Sequence, residues 1–82
     1  MIHELKINPE SFQAVVSGNK KAEVRSSADR SFLTGDRIFL NECSIDGRIN
    51  KANGRRLQVI ITHVESWGQP GDQVVLSIEI VK

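Results

Sequence analysis

The sequence predicts a mainly β protein of the α+β class: a small five-stranded β-barrel or strongly curved sheet, with one short helix after the first strand. Three observations predict it. Five stretches have strand length or strand alternation, the fourth dense in Val, Ile and Thr. A single Asn-Pro-Glu start opens one short helical pattern, and Gly, Asn, Asp and Pro turn signals fill the intervals. The chain has 82 residues, so residues 1–82 are read as a single domain. Its core is small, because a chain of this size buries only about 60% of its unfolded surface.

Each element has its own warrant. Residues 2–7 alternate, with His3, Leu5 and Ile7 on one face and Glu4 and Lys6 on the other. Asn8 caps the helix, Pro9 suits its first position, and Glu10 suits the positive end of the helix dipole. Phe12, Val15 and Val16 form its apolar stripe and Gly18 its stop. So short a helix needs a sheet to lean on. Residues 20–25 read as a strand, with Lys21, Glu23 and Arg25 on one face and Ala22 and Val24 turned to the core. Residues 26–30 read as a loop. Thr34-Gly35-Asp36 is a turn into a strand over 37–43, and residues 45–54 are a long excursion with three turn signals. Residues 57–64 form the fourth strand, with Leu57, Val59, Ile61 and His63 as its inward set. After the turn-rich segment 67–72, residues 74–81 close the chain as the fifth.

Composition removes several function classes. With 39% apolar and 26% charged residues the chain is no disordered tail. Its net charge of +1 rules out a polycationic coat for DNA. Three Phe, one Trp and no Tyr leave few platforms for stacking a long single strand. Cys43 is alone, so neither an intrachain disulfide nor a Cys-rich zinc site is expected, and the two histidines lack ligand partners at metal spacing. No cofactor is expected, and no apolar run reaches the roughly 18 residues that cross a bilayer. Without a signal-peptide pattern or a glycosylation sequon, the expected compartment is the cytoplasm, with no membrane partner.

The richest polar segment is residues 18–25, which place two Lys, a Glu and an Arg within eight positions. A guanidinium fork, two ammonium groups and a carboxylate suit a polar ligand such as a nucleotide, or else a solvated strand face with internal ion pairs. The neutral total also hides an asymmetry. Residues 47–64 carry Arg48, Lys51, Arg55 and Arg56 and no acid, so this segment is +4 and the remainder −3. Such a loop either clamps a phosphate backbone or simply keeps itself solvated. Trp67 either stacks a base or caps the open end of the barrel. His3, inward on the first strand, is placed at the barrel mouth near the polar segment, and Cys43 reads as a small buried apolar residue.

Gly18-x-Lys20-x-x-Glu23-x-Arg25 resembles the Gly-x-Lys-x-x-Glu-x-Arg signature of the ASCH (activating signal cointegrator homology) domain, in the PUA-like superfamily of RNA-associated β-barrels. The opening residues 3–7, the helix with Phe12 and Ala14-Val15, Asp29-Arg30, Gly35-Asp36 and the closing residues 74–78 are similar to a small bacterial and phage branch of it. The resemblance covers most of the chain and is poorest over residues 45–53. It implies a PUA-like barrel with a cleft that binds RNA or a modified nucleoside. Lys20, Glu23 and Arg25 would line that cleft, and Gly18 would let the backbone turn. That role requires Lys20 to lie in the bend before the strand, since strict alternation would set it opposite Glu23 and Arg25.

Some small members of that family are amidohydrolases of acetylated cytidine, in which a Lys activates a Thr sited where this chain carries Glu23. Thr34 and Thr62 are the only threonines, and neither is in the signature. The expectation is therefore an RNA-, nucleotide- or modified-nucleoside-binding module, with Gly18, Lys20, Glu23, Arg25, His3, Arg48, Arg55 and Trp67 as ligand-contacting residues. The alternative is a small hydrolase of a modified nucleoside working through Lys20 and Glu23.

Overall fold

The computed structural model describes residues 1–28, 30–43 and 54–81. Its elements are β1 (Ile2–Ile7), α1 (Pro9–Val16), β2 (Ala22–Ser26), β3 (Arg37–Glu42), β4 (Arg56–Glu65) and β5 (Gln73–Ile80). The five strands make one curled sheet, a half-barrel, in the order β1-β3-β4-β5-β2. The expected fold class holds, in its curved-sheet rather than its closed form. The excursion expected at residues 45–54 lies, apart from Gly54, outside the described residues.

α1 forms where its local chemistry asks for it. The Asn8 side chain accepts from the Ser11 amide at 2.7 Å, and Pro9 fills the first turn, where its missing donor costs nothing. Phe12 and Val15 are buried against the sheet, whereas Val16, expected in the same stripe, is exposed. An eight-residue helix has room for only a narrow apolar face. With Leu5, Ile7, Ile38, Leu40, Val59, Ile61, Leu76 and Ile78 from the concave face of the sheet, these two side chains form one core.

β1 pairs with β3 in parallel, and the remaining neighbours pair antiparallel. Met1 and Ile7 direct their carbonyls to β3, where Arg37 and Cys43 donate. The carbonyls of Glu4 and Lys6, of opposite parity, therefore point away from β3, to the free edge. β2 is the other edge, and no main-chain bond joins the two among the described residues. Side chains span the gap instead: Arg25 Nη2 donates to the Lys6 carbonyl at 2.6 Å and Arg30 Nη1 to that of Glu4 at 3.4 Å. This seam positions the site.

Two sequence expectations are corrected. β2 begins at Ala22, and its faces are the reverse of those expected. Glu23 pairs with Leu76 and Arg25 with Val74, both core residues, while Val24 pairs with Val75 and is half exposed. The inward face of an edge strand abuts the open seam, so charged side chains reach solvent there and the apolar one gains nothing by turning in. In β4 a register shift between Ile61 and His63 breaks the alternation. Val64 then packs on the core and His63 turns out to solvent, 3.6 Å from Glu65.

Candidate functional site

The signature segment begins where α1 stops. Gly18 has φ of +84°, a left-handed conformation that closes the helix and that a side chain would strain. The amides of Asn19 and Lys20 both donate to the Ala14 carbonyl at 3.0 Å. Lys20 is thereby fixed in the bend ahead of β2, the position that the ASCH resemblance requires of it. From there Lys20 Nζ lies 3.5 Å from Glu23 Oε1, and Arg25 Nη2 lies 3.3 Å from Glu23 Oε2. The three residues converge, with the carboxylate between two cations. Glu23 is the best covered of them, its side chain 13% exposed against 30% for Lys20 and 26% for Arg25. Ion pairs this accessible are worth at most about 1 kcal/mol each, so the arrangement orients its members more than it stabilises the fold.

Beside it opens a cavity of about 280 Å³. Val15, Val59, Ile78 and Ile80 make its apolar walls, and Gly18, Lys20, Lys21 and Glu79 its polar rim. Lys20 is thus the one charged residue of the signature that faces the cavity, with Glu23 and Arg25 standing behind it on the seam side. Lys21 and Glu79 are members of the rim that sequence reasoning missed. Strand alternation sets Lys21 on a strand face, and only the crossing of the bend over the end of β5 brings the two together.

The other expected site residues lie elsewhere. His3 is buried rather than at the mouth: its Nε2 is 2.9 Å from Asp36 Oδ2 and its ring packs 4.8 Å from that of Phe32. The hydrogen bond from His3 holds the Asp36 carboxyl down at about 2, helped by the Leu33 amide and the Met1 amino group. With Asp36 ionised, that bond places the imidazole proton on Nε2. The sequence contains half of this signal, since an inward His needs a polar partner, but the local context of Asp36 in Thr34-Gly35-Asp36 signals only a turn.

Arg55 is no free cation. Its guanidinium grips both oxygens of Glu42, bonds Gln13 at 3.1 Å and lies 4.7 Å over the Phe12 ring. This hydrogen bonding lowers the Glu42 pKa and raises that of Arg55. Arg56 is likewise paired with Glu4 and stacked 3.8 Å over Phe39. Asn41 and then Arg56 hold the Glu4 pKa below its usual value. Two of the four positive charges of residues 47–64 are therefore spent within the fold; Arg48 and Lys51 lie outside the described residues. Trp67 is 86% exposed on the β4–β5 turn, so it caps nothing. It stands at the end of β5 opposite the cavity. Cys43 is buried, as expected. Among the described residues no group of three or more His, Cys, Asp or Glu gathers to hold a metal, and no helix is long and apolar enough to cross a membrane.

Fold and site together define a small curled-sheet protein with Glu23 and Arg25 on the inner face of an edge strand and Lys20 in the bend before it, beside a lysine-rimmed apolar cavity. Residues 2–78 match the family described as a domain of unknown function, DUF3850, and the chain belongs to that family. A comparison with curated proteins finds no match.

Proposed function

We propose that this protein binds RNA, or a nucleotide or modified nucleoside, at the cavity where the Gly18–Lys21 bend crosses the end of β5. The observation that carries the reading is the placement of Lys20. The Gly18 turn brings Lys20 to the rim of an apolar cavity, with its ammonium held 3.5 Å from Glu23 Oε1. An anion recognised there meets a rim with two lysines, Lys20 and Lys21, against one acid, Glu79, and an apolar floor for its uncharged part. The resemblance of residues 18–25 to the ASCH signature supports a nucleic-acid ligand over other anions.

The hydrolase reading has less support. Both oxygens of Glu23 face cations, so neither is presented to a water molecule. Thr34 and Thr62 are exposed, on a turn and on β4, and neither belongs to the signature. Binding needs only what the site has: lysine donors beside a cavity.

The test is a salt titration of binding to a short single-stranded RNA. Each phosphate neutralised on a single strand adds about −0.7 to the slope of log K against log salt. Lys20→Ala is expected to weaken binding and make the slope shallower by about that amount. Unchanged affinity and slope in Lys20→Ala would remove the proposal.

A further inference from the structure

Lys20, Glu23 and Arg25 do not share one task. Lys20 faces the cavity, whereas Arg25 reaches across the seam to the Lys6 carbonyl. Arg25 is also incompletely used. Its Nη2 donates both to Lys6 at 2.6 Å and towards Glu23 Oε2 at 3.3 Å. Its Nε is buried without a hydrogen-bond partner among the described residues. A buried donor left without a partner is costly, and such an atom calls for an explanation.

The explanation lies in the shape of the guanidinium. Nε and Nη2 are the two donors of its side-on fork, which fits the two oxygens of one carboxylate. Half of that fork is already engaged, through Nη2 and Glu23 Oε2. The other half is open because Glu23 Oε1 is turned to Lys20 Nζ, 3.5 Å away. Lys20 and Arg25 Nε compete for the same oxygen.

We infer that Lys20 is the anion-reading residue of the signature and Arg25 a positioning residue, the two being coupled through Glu23. When an anionic group draws Lys20 to the cavity, Oε1 is released and Glu23 closes side-on over Nε and Nη2 of Arg25. The lost Lys20–Glu23 pair is offset by a bond to the buried Nε of Arg25. Nη2 carries two hydrogens, so the bond to Lys6 persists and the arm that spans the seam is held at both ends. Occupancy of the cavity thus stiffens the junction between β1 and β2. The ligand is an anion, phosphate or carboxylate, with a compact uncharged part against Val15, Val59 and Ile78. The inference rests on the proposal that Lys20 binds an anion here, but the coupling can be tested without one.

The experiment follows the Arg25 Nε–H signal by nitrogen-15 NMR in the wild type and in Lys20→Met, each with and without adenosine 5′-monophosphate as probe. Lys20 lies in a partly exposed bend, so the variant retains the fold. Without ligand, Lys20→Met is expected to slow exchange of the Nε proton with solvent by roughly tenfold, the worth of one charge-assisted hydrogen bond. Adding the nucleotide to the wild type is expected to move it in the same direction. In the Lys20→Met/Glu23→Gln double variant the slowing is expected to vanish. Exchange that is unchanged or faster in Lys20→Met overturns the coupling, even if the nucleotide binds. Slowing that survives in the double variant also overturns it. Slowing in Lys20→Met with no response of the wild type to nucleotide upholds the coupling and counts instead against nucleotide binding.

Discussion

At the scale of the residue, the firmest electrostatic feature is the buried contact of His3 with Asp36. The Asp36 carboxyl titrates at about 2 when folded, against 3.8 for an ordinary aspartate. A depressed folded value means that the contribution to stability is fully present above about pH 4 and disappears as the pH falls towards 2. Thermal melts between pH 5 and 2 are expected to show a steeper acid loss for the wild type than for Asp36→Asn; parallel curves would deny the role. Trp67, at 86% exposure, makes the opposite case. Trp67→Ala is expected to leave unfolding free energy by urea denaturation within about 0.5 kcal/mol of the wild type. The sequence made the Lys20–Glu23–Arg25 group legible because its chemistry is concentrated in a short segment. The partners of His3 and Arg55 were illegible, since Asp36 and Glu42 meet them only through strand pairing and loop closure.

At the scale of the element, α1 was the most legible, because its cap, its Pro and its closing Gly are local signals. Its stability is not local. Phe12 is 2% exposed between the sheet and the Arg55 guanidinium. Phe12→Ala is expected to cost about 3–5 kcal/mol in urea denaturation, a large share of what holds a domain of this size. A loss below about 1 kcal/mol would mean that the helix is not docked as described. β2 and β4 depart from the sequence expectation for different reasons. In β2 the alternation holds but its faces are reversed, because edge position and the open seam are properties of the assembled sheet. In β4 the alternation itself is interrupted between Ile61 and His63, and an even apolar run gives no sign of a bulge.

At the scale of the whole molecule, the half-barrel leaves two strand edges facing one another, joined by Arg25 and Arg30 rather than by a ladder. Exposed edges pair with other chains unless something covers them. An Arg25→Ala/Arg30→Ala variant that keeps its far-ultraviolet circular dichroism is expected to self-associate in sedimentation velocity more than the wild type does; sedimentation identical to the wild type would argue that the arginines do not guard the edge. The fold class was legible from strand count and the single helix, whereas the seam was not, because closure depends on how far the sheet curls. That curl also brings the Gly18–Lys21 bend over the end of β5 and makes the cavity. The central claim is that this cavity takes RNA or a nucleotide from it, and amide chemical-shift mapping with a short single-stranded RNA tests it most directly. The expected result is a contiguous set of shifts at Gly18, Lys20, Lys21 and residues 78–80, lost in Lys20→Ala. Shifts confined to Trp67 and the β4–β5 turn, or none at all, would contradict it.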